Sequence, residues 1–127
     1  MKSEHEWNFD LAADKPTDDV VVVNISSSVT TKAELFNAYE VSLGLPEYFG
    51  SNWDAFEECV RDLSWVPTKN IVLFHESLPF ADHPDMLKTY LSILADVTEK
   101  WLKKTEHGIH VYFPKECEAT VRKILGN

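Results

Sequence analysis

Cysteine is scarce in this chain: Cys59 and Cys117 are the only two among 127 residues. Two thiols so far apart do not make a disulfide framework, and no Cys or His pair has the spacing of a zinc site. Glycine is scarce too, with four, and none builds a phosphate-binding loop or flanks a serine in a nucleophile elbow. Basic residues are few. Twelve Lys and Arg face twenty-one Asp and Glu, a net charge of −9. That balance disfavours direct binding to nucleic acid, whose affinity comes largely from lysine and arginine replacing phosphate counterions. It attracts and steers a basic partner instead. No apolar run approaches the roughly 20 residues of a membrane span, and Met1 to Pro16 lacks the apolar core of a signal peptide. The expectation is a soluble, reduced, cytoplasmic protein with no cofactor and no metal.

What is present reads as one domain with a real core. A chain of this length hides roughly two-thirds of the surface that its unfolded form exposes. Residues 1–19 form an acidic N-terminal extension in which Trp7, Phe9 and Leu11 alternate with polar residues, as on one face of a short docking strand. Residues 20–127 make the domain. Val20 to Ile25 is a β-branched run and reads as a strand buried on both faces. Thr31-Lys32-Ala33-Glu34 has capping-box spacing, and Leu35, Phe36, Tyr39 and Leu43 then fall on one helical face. Gly44 closes that helix and Leu45-Pro46 stops it.

Ser51 or Asn52 caps a second helix, whose apolar side is Phe56, Cys59, Val60 and Leu63 and whose wet side is Asp54, Glu57, Glu58 and Arg61. A second strand at Asn70 to Phe74 follows. A long helix from about Pro84 to Lys104 carries Leu87, Tyr90, Leu91 and Leu94 at helical spacing. A third strand spans Ile109 to Phe113, and Pro114 opens a last helix that turns Val121, Ile124 and Leu125 inward. Strands alternating with helices give an α/β fold around a parallel sheet.

Catalytic chemistry finds little support. A Cys–His pair such as Cys59 with His75 is open to the sequence, but Cys59 falls on a core face. Asp54 and Glu58, four apart, suit a general acid–base pair or ligands for Mg²⁺, and equally suit a solvated helix face. No catalytic residue is assigned, and the expectation is a protein that is not an enzyme.

The charge is concentrated instead. From Leu45 to Trp65 there are five acidic residues, Glu47, Asp54, Glu57, Glu58 and Asp62, against the single cation Arg61. Carboxylates side by side cost a helix a few tenths of a kcal/mol per pair. Tyr48, Phe49 and Trp53 flank the patch, as aromatic residues do at interface centres, although core packing suits Phe49 and Trp53 as well. Paired carboxylates copy the charge of adjacent phosphates, so a basic site that grips RNA accepts them as a decoy.

The run Leu45-Pro46-Glu47-Tyr48-Phe49-Gly50-x-Asn52-x-Asp54-Ala55, followed by Cys59, resembles the signature of the barstar family of ribonuclease inhibitors. A looser likeness runs from Val20 to Phe113. The resemblance implies a small three-stranded parallel sheet covered by helices. It also implies a second helix and preceding loop that plug the active site of a barnase-like ribonuclease. By motif position, Tyr48, Gly50, Asn52, Trp53, Asp54 and Glu58 are the implied partner-binding residues. Glu58 stands where the best-known member has Asp, and Glu57 where it has an aromatic contact. The partner expected is a basic extracellular-type ribonuclease or related toxin, which makes the chain an inhibitor, immunity protein or antitoxin. Two other readings stay open. One is an acidic interaction module, dimeric through its C-terminal helix, that binds a basic protein other than a nuclease. The other is a metal-dependent hydrolase using Asp54 and Glu58.

Overall fold

The structure, a computed structural model, describes residues 7–12, 19–44, 52–61, 70–80, 82–104 and 108–126. The run Leu45 to Ser51 lies outside them, as do residues 62–69, among them Leu63 of the second helix's expected apolar side. In chain order the elements are β1 (Val20–Ile25), α1 (Lys32–Leu43), α2 (Trp53–Arg61), β2 (Asn70–His75), α3 (Pro84–Lys104), β3 (Gly108–Tyr112) and α4 (Glu118–Ile124). The three strands form one parallel sheet in the order β1-β2-β3.

α1 starts where its cap dictates. Thr31 is extended, its hydroxyl accepts from the Glu34 N–H at 3.2 Å, and the Glu34 carboxylate accepts from the Thr31 N–H at 3.2 Å. Two N–H groups that the first turn would otherwise leave unpaired are thereby satisfied. The Thr30 N–H, at 2.8 Å from the Glu34 carboxylate, and then the Thr31 N–H hold that carboxyl below its ordinary pKa. The helix closes on Gly44 at φ +73°, whose N–H donates to the Glu40 carbonyl at 2.8 Å. A left-handed residue there favours glycine.

Strand register explains the layering. Val23, Ile25, Ile71, Leu73, His75 and Val111 are all buried; they alternate along the strands and so share the sheet face on which the helices lie. α1 packs on β1, α3 on β3, and α2 on α3. β1 differs from its expected burial on both faces, because it is an edge strand and its other face meets solvent: Val22 is 46% exposed. The β1 end is tied down by Glu76, whose carboxylate accepts from the Asn24 side chain at 3.0 Å and the Ser27 N–H at 3.1 Å.

Segments outside the sheet layer also join the core. Asn8 bridges Tyr112 in parallel, and Trp7 and Phe9 pack against Phe113 at ring distances of 5.8 and 6.1 Å. Pro114 precedes a 3-10 turn at Lys115–Cys117 that leads into α4, where Val121 is buried and Ile124 and Leu125 lean on the core. Thr31→Ala removes the reciprocal cap and should lower stability by about 1 kcal/mol. Urea unfolding of the two proteins checks this, with an unchanged denaturant dependence expected because the surface exposed on unfolding is the same.

Candidate functional site: the acidic helix and the groove beside it

α2 begins at an Asn52 cap. The Asn52 side-chain oxygen accepts from the Asp54 N–H at 2.7 Å and the Ala55 N–H at 3.3 Å. This oxygen is therefore committed to the helix, while the amide nitrogen of the same exposed side chain bonds to nothing among the described residues. Asp54 occupies the first turn, where a negative charge is favoured by the helix dipole.

The inner face of the helix is fixed by aromatic packing. Phe56 is fully buried and meets Phe36 and Tyr39, both at 4.9 Å between ring centroids. Trp53 is half-buried, edge-on to Phe36 at 5.3 Å and near Phe80 at 6.1 Å, with the Lys32 ammonium over its ring at 6.0 Å. Of the two roles open to Trp53, packing is thus visible in the structure. Phe80 supports it from a left-handed conformation, φ +58°, that bulky residues rarely hold.

The outer face carries Asp54 and Glu58, both exposed, one helical turn apart. Neither carboxylate makes an ion pair or a side-chain hydrogen bond among the described residues. Glu57 is half-buried beside them. Cys59 is half-buried rather than fully in the core, and burial, then the Glu58 charge, push its thiol pKa up. Such a thiol stays protonated at neutral pH and is a poor nucleophile. Tyr48 and Gly50, the other two expected contacts, lie outside the described residues.

Between α2 and α3 runs an open groove of about 380 Å³. Trp53, Asp54 and Glu57 form its α2 wall. Lys88, Thr89, Ser92 and Ile93 form its α3 wall. The α3 side is not evident from the sequence motif, since it comes from a helix about thirty residues further on.

Under the site lies a polar chain that sequence reasoning does not reveal. His75 is fully buried, with Nδ1 2.9 Å from the Tyr112 carbonyl and Nε2 2.6 Å from the Tyr90 hydroxyl. The Tyr90 hydroxyl is 2.7 Å from that of Tyr39. The directions follow from chemistry. A carbonyl only accepts, so Nδ1 carries the proton; Nε2 of the neutral ring then accepts from Tyr90, which in turn accepts from Tyr39. Burial lowers the His75 pKa to about 4 and raises those of Tyr39 and Tyr90. With both ring nitrogens engaged and the ring stacked on Phe113 at 4.0 Å, His75 cannot serve as a base to Cys59. Among the described residues no three His, Cys, Asp or Glu side chains gather as a metal would require, and no helix is long and apolar enough to cross a membrane.

The structure is thus a small α/β protein, a parallel three-stranded sheet with helices packed on it and a second helix whose Asp54 and Glu58 are exposed. The family model described as Barstar (barnase inhibitor) matches residues 20–114, and the chain belongs to the barstar family. A search of curated proteins finds no match.

The His75 pKa has a consequence for stability. The neutral ring is the form that the fold holds, so the unfolded chain, titrating near 6.5, binds the proton first. Stability is full above that pH and declines as pH falls toward about 4, by about 3 kcal/mol in all. His75→Gln keeps one donor and one acceptor but does not titrate. Denaturant unfolding at several pH values should show a shallower acid limb for this variant, set against a loss of about 1–3 kcal/mol at neutral pH from imperfect packing.

Proposed function

We propose that this chain is a cytoplasmic protein inhibitor of a basic ribonuclease, or the immunity protein or antitoxin for a related toxin. α2 and the loop before it form the contact surface. Asp54 and Glu58 fill anion sites of the partner, and Tyr48, Gly50, Asn52 and Trp53 set the fit. The observation that carries the reading is the contrast between the two faces of α2. Its inner face is anchored by Phe56 and Trp53, and its outer face presents two exposed carboxylates with no ion pair among the described residues.

That contrast suits a decoy. A guanidinium or ammonium that normally grips phosphate meets a carboxylate on a rigid support, so little ordering cost is left for the moment of binding. The net charge of −9 speeds the encounter with a basic protein and makes it sensitive to salt. Barstar family membership, with its description as barnase inhibitor, favours a ribonuclease over other basic proteins as the target.

Titration of the protein into a barnase-type ribonuclease, following RNA cleavage at low and moderate salt, is the test. Stoichiometric inhibition that weakens with salt is expected. Asp54→Ala and Glu58→Ala should each weaken the complex by about 3–5 kcal/mol, because each leaves a cation of the partner buried and uncompensated. Both variants should unfold within about 0.5 kcal/mol of the parent, as exposed sites do. Wild-type binding by both would remove α2 from the contact surface.

A further inference from the structure

The groove between α2 and α3 is not uniformly acidic. Asp54 and Glu57 line one wall and Lys88, with the hydroxyl-bearing Ser92, lines the other. Lys88 is exposed and makes no ion pair or hydrogen bond among the described residues. Lys32, the lysine on the other side of Trp53, differs in that its ammonium already sits over the indole ring. Thr89, next to Lys88, spends its hydroxyl on the Asp85 carbonyl at 3.0 Å. Among the described residues, Lys88 is therefore a free cation at this margin of the contact surface.

A groove with carboxylates on one wall and an ammonium on the other does not fit a plain basic side chain. A second cation placed there meets repulsion that grows as water is excluded. Both walls are satisfied by a partner that offers a cation to Asp54 and, beside it, a carboxylate to Lys88. We propose that Lys88 is a specificity-determining residue, which selects basic partners that carry an acidic side chain next to the cation received by Asp54. This rests on the reading of α2 as the contact surface. It adds that charge of one sign does not decide the partner; a basic protein lacking that carboxylate is penalised at Lys88.

The sign of one substitution separates this from simple attraction. Lys88→Glu takes the net charge two units further negative, so long-range attraction alone makes association with a basic protein faster and binding tighter. A docked ion pair at Lys88 gives the opposite result, because the two carboxylates then face each other in the complex. The measurement is the dissociation rate from a barnase-type ribonuclease by competition stopped-flow, for wild type, Lys88→Glu, Lys88→Ala and Lys88→Arg. The expectation is a dissociation rate about tenfold higher for Lys88→Glu, about threefold higher for Lys88→Ala, and near wild type for Lys88→Arg. Lys88 is exposed and unpaired among the described residues, so all three should melt with the parent. An unchanged or lower rate for Lys88→Glu overturns the inference and leaves the inhibitor reading standing. Failure of the wild-type protein to bind overturns both.

Discussion

The hydrogen-bond chain from Tyr39 through Tyr90 to His75 joins the layers of the molecule at one point. Tyr39 belongs to α1, Tyr90 to α3, and His75 ends β2 against the β3 carbonyl of Tyr112. Each member is buried, so each polar atom must find its partner inside the protein or cost stability. The chain has one direction because a carbonyl terminates it, and that direction requires a neutral imidazole. Sheet, α1 and α3 are thus held in register by a device that works only in one protonation state.

α2 inherits its position from that arrangement without joining it. Phe56 lies against Tyr39 at 4.9 Å and Tyr90 at 6.2 Å, so the two tyrosines form part of the floor on which the helix rests. Trp53 and Phe80 close the same cluster at its edge, and the left-handed backbone of Phe80 is a local cost that its ring packing offsets. The outward carboxylates repel each other mildly, by a few tenths of a kcal/mol per pair. An inner face so heavily anchored tolerates that repulsion easily. The face that would meet a partner is in this way relieved of any duty to stabilise the fold.

Much of the architecture was legible because it depends on local signals. The Thr31–Glu34 capping box, the Gly44 stop, the alternation of β-branched runs with helical spacing and the inward Val121 are each set within a few residues, and each stands where expected. The features missed depend on distance. Tyr39 and Tyr90 are 51 residues apart and read from sequence as members of apolar helix faces, with no sign that their hydroxyls meet. His75 stays open in the sequence as a partner for Cys59, because the hydroxyl and the carbonyl that engage its ring come from α3 and β3. Val22 read as buried because a β-branched run does not tell a central strand from an edge strand; only the sheet order does. At the site, the acidic face of α2 was plain from spacing, whereas the α3 wall of the groove was not, since no local pattern links Lys88 to Trp53.

Asn52 shows why a motif residue resists assignment to one role. Its oxygen caps α2, and without that cap the Asp54 and Ala55 N–H groups lose their acceptor at the very turn that carries the first carboxylate. A change at Asn52 therefore alters how Asp54 is presented even if Asn52 touches nothing beyond its own helix. The same holds for Trp53, whose packing fixes the start of α2 while its exposed edge lines the groove. Loss of binding on substituting either residue would not distinguish a contact from a support. Asp54, Glu58 and Lys88 are less subject to that ambiguity, because their side chains make no ion pair or hydrogen bond among the described residues, and the sign of the charge is what each would offer a partner.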